Sequence, residues 1–187
     1  MMIVTQILTT EHQLILKVLN LLKKSREELE NGRMISGLFY EKAMNFCSEF
    51  ADQFHHFKEE FLLFGLLSYK KKGALDSVMG TLRYQHESCR HCIAKIRQAL
   101  NKYEENDEMA ITLLLESLAV YVSLLRRHIY LEDQIFFPMA EKALSIDEKK
   151  SLAEQFANEE NRNDLKGSVF ERNQIIADEL VQMMKFR

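Results

Sequence analysis

The chain has 187 residues, with 25 Lys and Arg against 28 Asp and Glu and a formal charge of −3. That length fits a single domain with a substantial core, while the pI near 6.1 and the lack of any Lys/Arg-rich block argue against nucleic acid as a partner. No apolar run approaches the ~20 residues of a membrane span, the opening "MMIVTQILTTEHQ" lacks a signal-peptide pattern, and three cysteines (Cys47, Cys89, Cys92) are too few for a secreted disulfide framework, so a cytoplasmic protein is expected.

One proline and six glycines leave little turn chemistry for strands and hairpins, and long helices are the economical reading. In chain order the breaks fall at Asn31-Gly32, at Lys72-Gly73 and at the run Glu104-Glu105-Asn106-Asp107, with Pro138 expected to end or kink a fourth helix. Four segments result, at roughly 4–30, 36–71, 75–104 and 107–137. Ser145 ahead of Asp147 and Glu148 reads as the N-cap of a short fifth helix. "SVFERNQIIADELVQMM" reads as a last amphipathic helix. The predicted fold class is all-α: an antiparallel up-down-up-down four-helix bundle over residues 1–160, with additional C-terminal helices. The 161–187 extension would pack on the bundle or at a dimer interface.

Each long segment carries an apolar stripe. Leu8, His12, Ile15, Leu19 and Leu22 share the first; Gln53, His56, Glu60, Leu63 and Leu67 form one row of the second, which is apolar over a wider arc. Leu75, Met79, Leu82, His86, Cys89, Ile93, Ile96, Leu100 and Tyr103 form the third. Ile111, Leu114, Leu118, Tyr121, Leu125, His128, Glu132, Ile135 and Met139 form the fourth. Six polar residues therefore stand where the pattern asks for leucine: His12, His56, Glu60, His86, His128 and Glu132. Buried ionisable groups are costly unless paired or metal-bound. Counting from the predicted turns at 1.5 Å per residue, all six fall on one level of an antiparallel bundle to within one or two helical turns.

Spacing supports a shared site. In His56-x-x-x-Glu60 and His128-x-x-x-Glu132, side chains four apart lie one above the other, so each carboxylate can bridge two metal ions while each histidine binds one. Imidazoles and carboxylates without a thiolate suit non-haem iron, and manganese or zinc less specifically. Within "HHFKEEFLLF", His55, Lys58 and Glu59 are expected on the outer face, as is His91. Ferritin-type bundles need Glu-x-x-His pairs, and no histidine here has a glutamate three residues before it.

"TTEHQLI", "HHFKEEFLLF", "YQHESCR" and "LLRRHIYLEDQIFFPMAEK" resemble the bacterial hemerythrin-like (HHE cation-binding) family from about residue 5 to 158. The resemblance implies a four-helix bundle around a di-iron centre, oxo- or hydroxo-bridged, with manganese or zinc as substitutes. Carried over by position, His12, His56, His86 and His128 would be terminal ligands, and Glu60 and Glu132 bridging carboxylates. Oxygen-carrying relatives use five histidines, two of them four apart on the third helix; Leu82 and Arg90 occupy those positions here. The chain thus resembles the branch with four histidines and two glutamates, which puts simple oxygen carriage in doubt. Asp133, five after His128, could bridge in place of Glu132, although the stripe favours Glu132.

The expected function is binding of O2, NO or peroxide at a non-haem di-iron site, in oxygen or iron sensing or in oxidative or nitrosative stress. The alternatives are a di-iron enzyme that turns over peroxide or donates iron for iron–sulfur repair, and an iron-dependent interaction module. Partners expected are the small ligand, with neither nucleic acid nor membrane, and a second copy through the C-terminal helix. Cys89 and Cys92, as C-x-x-C on a helix, read as core filler rather than a redox pair. Tyr121 reads as core packing before it reads as a ligand contact. Phe57, Phe61, Phe64, Phe136 and Phe137 are expected to wall the site.

Overall fold

A computed structural model describes residues 3–70, 73–161 and 167–185. Lys72 of the expected second break, and residues 162–166 ahead of the last helix, lie outside the described residues. Helix α1 is Val4–Glu30. Helix α2 occupies 37–68, beginning as α-helix Gly37–Phe46, passing through π-helical Cys47–His56 and Lys58–Leu63, and ending as α-helix Phe64–Ser68. Helix α3 is Ala74–Tyr103. Helix α4 runs over Glu108–Ala143 and holds a π-helical turn at Glu132–Phe136. Helices α5, Ile146–Glu160, and α6, Val169–Met183, complete the chain.

Helix ends follow local chemistry. Gly32 takes a φ of 75° after α1, and Asn106 takes 57° between α3 and α4; both are conformations that glycine and asparagine reach at low cost. Asp107 caps α4 by accepting from the Ala110 N–H. Ser145 and Ser168 start α5 and α6 in capping boxes with Glu148 and Glu171.

The four long helices run antiparallel. The start of α1 meets the end of α4 where the Thr5 N–H donates to Glu141 at 3.0 Å. The start of α2 meets the end of α3 where the Gly37 N–H donates to Glu104 at 2.6 Å. Helix α1 packs against α2 and α4, and α3 against α2 and α4, which makes a four-cornered bundle. Helix α5 packs on α1 and the second π-helical stretch of α2, and α6 on α1 and α2. There Ala177 and Leu180 are buried, while Asp178 and Glu179 pair with Lys17 and Lys42 at 2.6 Å each.

Two sequence expectations change here. Pro138 does not end its helix, which continues to Ala143. A proline ring in an α-helix clashes with the carbonyl four residues earlier. Here that carbonyl belongs to Gln134, inside the wider π-helical turn, which accommodates it. Helix α4 is also long and apolar enough, by length and composition, to cross a membrane. Its apolar residues nonetheless have a core to fill, because Leu114, Leu118, Leu125 and Ile129 are buried in the bundle.

The core falls into two apolar clusters. One holds Ile15, Phe50, Phe54, Cys89 and Leu125; the other holds Leu8, Phe64, Leu82 and Phe136. On α1 and α3 the boundary lies at His12 and His86, so a polar layer separates the two. At the far end of the larger cluster, the buried Tyr103 hydroxyl donates to the Ile35 carbonyl at 2.7 Å and accepts from the Ile35 N–H at 3.1 Å. Both backbone groups of the α1–α2 connection depend on that one oxygen. Tyr103→Phe strands them, and urea unfolding of the variant is expected to show a loss of about 1–3 kcal/mol; an unchanged midpoint would mean that the connection finds other partners.

Candidate metal centre

The polar layer contains seven side chains whose donor atoms face one another. His56, Glu59, His86 and His128 offer one donor each within 4.8 Å of one another, and so do His12, His55, Glu59 and Glu132. Glu59 belongs to both groups. All seven residues are buried. From the sequence-predicted set, the structure brings together His12, His56, His86, His128 and Glu132, and adds His55 and Glu59, which had been assigned to the outer face.

Glu60 is corrected. Its carboxylate lies behind His86, accepting the Nδ1–H at 2.6 Å, and belongs to neither donor group. Lys58 is likewise buried rather than exposed, and Gln53 of the predicted row is exposed. The cause is the π-helical backbone of α2. Its hydrogen bonds span i→i+5, so each turn holds more residues than the 3.6 of an α-helix, and the inward face drifts. The drift turns both His55 and His56 inward, with Glu59 four residues after the first. The same effect in α4 leaves Ile135 exposed and buries Phe136 and Phe137 side by side. His-x-x-x-Glu spacing could not have distinguished the two overlapping pairs 55/59 and 56/60; the wide apolar arc of α2 was the available signal.

Each imidazole is held from behind. The Nδ1–H of His12 donates to Asp133 at 2.8 Å, that of His55 to Glu11 at 2.8 Å, and that of His56 to Asp52 at 3.3 Å. The Nδ1–H of His86 donates to Glu60, and that of His128 to Gln85 at 2.9 Å. Asp133 is thus the support of His12, reinforced by the Thr9 hydroxyl at 3.3 Å, while Glu132 takes the inward position. With the outer nitrogen engaged, every Nε2 points inward, as metal-binding histidines require.

The inward atoms lack partners. His12, His55 and His56 Nε2 and both oxygens of Glu59 and of Glu132 have no hydrogen-bond partner among the described residues. Glu59 oxygens lie 3.3 Å from His55 Nε2 and 3.4 Å from His86 Nε2. Glu132 Oε2 lies 3.0 Å from His128 Nε2 and 3.3 Å from His12 Nε2. The Nε2 atoms of His86 and His128 face each other at 3.0 Å, an approach that needs either a proton shared between them or a cation beside them.

The ionisation states divide the layer. Burial, with His56 and His128 alongside, pushes the His86 pKa far below that of a free imidazole, and burial lowers that of His56. Burial disfavours the charged form of His12 too, but the Asp133 and Glu132 carboxylates outweigh it and raise the pKa to about 10. Burial would raise the Glu59 pKa, yet the surrounding histidines, His55 foremost, hold it well below the carboxylate range. The carboxylates likewise raise the His55 pKa against burial, so in that half a cation would displace protons; with them gone, imidazole lone pairs and carboxylates form a cation's donor set, and the residues present fit a pair of metal ions.

Aromatic rings close one side. Phe137 stacks on His12 at 5.6 Å and Phe64 on His86 at 6.3 Å, with Phe136 edge-on to Phe64 at 5.0 Å. Phe57 and Phe61, expected in that wall, instead stack on each other at 5.0 Å and line an outer groove; Phe61 is 65% exposed. Tyr121 and Cys47 are both buried in the larger core cluster, where burial pushes the Cys47 pKa up to about 12. All three cysteines are buried free thiols.

Over residues 4–140 the chain matches the hemerythrin HHE cation binding domain. Curated relatives include uncharacterised proteins of Mycobacterium bovis and of two strains of Mycobacterium tuberculosis, each 24% identical over 155 residues. The aligned region is 83% of this chain and 60% of each relative, so the chain spans less than two thirds of their length. No solved structure matches it significantly. The family match over most of the chain and the buried histidine–glutamate layer lead to one assignment: the chain belongs to the hemerythrin HHE cation-binding family.

Proposed function

We propose that the layer holds two non-haem iron ions and binds O2, NO or a peroxide, in oxygen sensing or in the response to oxidative or nitrosative stress. His56, His86 and His128 would hold one ion, His12 and His55 the other, with Glu59 and Glu132 shared between them. The observation that carries this reading is the pair of opposed Nε2 atoms beside a carboxylate common to both donor groups. A donor set of nitrogen and oxygen without sulfur favours iron over the thiolate-bound metals. When bound, the ion pair would supply two electrons and open coordination positions for a small ligand.

The protein's own contribution is positional. Five outer hydrogen bonds fix the imidazole planes and tautomers before any ion arrives, which reduces the reorganisation needed on binding. Phe64, Phe136 and Phe137 keep water from one side and lower the local dielectric, strengthening each charge interaction inside.

Metal analysis of the purified chain is expected to find about two irons per molecule. Glu59→Ala and His128→Ala should each lose most of one or both ions at stoichiometric iron. Glu60→Ala should keep both at saturating iron, because Glu60 supports a ligand instead of being one. Full metal content in Glu59→Ala together with loss in Glu60→Ala would overturn the assignment. Exposure of the reduced, loaded protein to O2 or NO should produce a visible charge-transfer band; an unchanged spectrum with either gas would overturn the small-ligand reading.

The metal-free chain should show a distinctive pH dependence. His12, whose pKa rises from 6.5 to about 10 on folding, favours the native state by keeping a proton that the unfolded chain releases. That stability is fully present below pH 6.5 and is lost as pH rises towards 10. Chemical denaturation of metal-free protein between pH 6.5 and about 9 should therefore show falling stability. The metal-loaded protein should lack this limb, since the ion replaces the proton on Nε2. Parallel profiles for the two forms would contradict His12 as a ligand.

A further inference from the structure

The two halves of the centre differ in what holds their supports. Arg90 donates from Nε to Asp52 Oδ1 at 2.8 Å and from Nη2 to Glu60 Oε1 at 2.8 Å, with Nη1 reaching Glu87 at 2.6 Å. Those same two oxygens accept the Nδ1–H of His56 and of His86. One guanidinium therefore fixes the supports of two ligands in the same donor group. In the other half, Asp133 behind His12 is joined by Thr9, and Glu11 behind His55 by the buried Lys58; Arg90 touches neither. His128 rests on the neutral Gln85, which needs no counter-charge.

We propose that Arg90 is the positioning residue of one half of the centre, setting the affinity of the His56–His86–His128 position while leaving the His12–His55 position unaffected. The proposal rests on the two-ion reading above. Asp52 and Glu60 are partly open to solvent, with side-chain exposures of 22% and 14%, and Asp52 and Arg90 line a groove of about 900 Å³ with Phe57 and Phe61. Without the guanidinium, two neighbouring carboxylates repel each other and have water available as an alternative. When they swing outward, His56 and His86 lose the acceptors that hold Nδ1 protonated and Nε2 directed inward. A planar fork that meets two carboxylates at once is a geometry lysine lacks.

The sign of the effect separates positioning from field. Removing a positive charge near a cation site by itself tightens cation binding. Weaker binding in an Arg90 variant therefore reports lost orientation, against the electrostatic trend.

The test is anaerobic Co2+ titration of the metal-free full-length chain, followed by its visible d–d bands and by bound metal, in wild type, Arg90→Gln, Arg90→Lys and His128→Ala. Wild type should bind two ions. Arg90→Gln should weaken one step by about 10- to 100-fold, the usual cost of losing a ligand's support, and leave the other within about threefold. Arg90→Lys, with the charge but not the fork, should fall between. His128→Ala should lack the same step, and adding Arg90→Gln to it should leave the remaining step within about threefold, since the two changes act on one position. Equal weakening of both steps, tighter binding, or no change would each overturn the proposal. If circular dichroism shows that Arg90→Gln loses helicity, Arg90→Lys carries the test, and a wild-type titration curve from it overturns the proposal. Fewer than two cobalt ions on wild type would overturn the two-ion reading first, a result distinct from failure of Arg90 alone.

Discussion

The structure depends on burying five imidazoles and two carboxylates in one layer sealed from water. Such groups cost several kcal/mol each when buried without compensation. The chain meets that cost from outside inwards. Each ring gives its Nδ1 proton to a fixed acceptor, Asp133, Glu11, Asp52, Glu60 or Gln85, and so turns to the interior the Nε2 whose lone pair a cation would take. The helices must then bring those lone pairs to one level, and the antiparallel bundle with short connections does so. The layer interrupts the core, and the two apolar clusters on either side supply the burial that holds the four helices around it.

A regular α-helix presents inward groups at i and i+4, with neighbouring residues turned away. Helix α2 delivers His55, His56 and Glu59 to the same interior, and Lys58 besides. It does so by abandoning α-geometry from Cys47 to Leu63, apart from Phe57. Isolated π-turns are uncommon and concentrate at functional sites, because they lose packing and hydrogen-bond geometry that only a local gain can offset. Here the gain is the adjacent histidine pair, one ring for each donor group. In α4 a single π-helical turn beginning at Glu132 serves a similar end: it sends Glu132 inward, leaves Asp133 to support His12, and accommodates Pro138.

The same backbone change marks the limit of what the sequence discloses. Stripes on α1 and α3 follow α-helical spacing, and His12 and His86 were legible at once. His128 and Glu132 were legible because they precede or begin the irregular turn. Beyond it the stripe fails, and Ile135 faces solvent. In α2 the predicted row went wrong at both Gln53 and Glu60, since a period of 3.6 was applied to residues that do not keep it. The helix count, the Ser145 cap and the last amphipathic helix rest on local signals, and each could be read. Arg90, Glu11 and Gln85 could not, because a supporting role depends on which residue of a distant helix stands opposite, and stripe periodicity carries no such information.

Charge balance links the supports to the ions. The two inward carboxylates carry two negative charges. Behind them Glu11 is neutralised by Lys58, Asp52 and Glu60 share the cation of Arg90, and Asp133 faces His12 with no Lys or Arg paired to it among the described residues. With the histidines neutral, that leaves four negative charges in and immediately around the layer, the sum that two divalent cations would cancel. Glu87, whose side chain is 71% exposed, is screened by water and counts little. Neutrality of this kind favours a divalent resting state in a medium of low dielectric, where any net charge is expensive. It also bears on ligands. Oxidation of both ions would leave two positive charges uncompensated, so the oxidised state would be most stable with an anion bound.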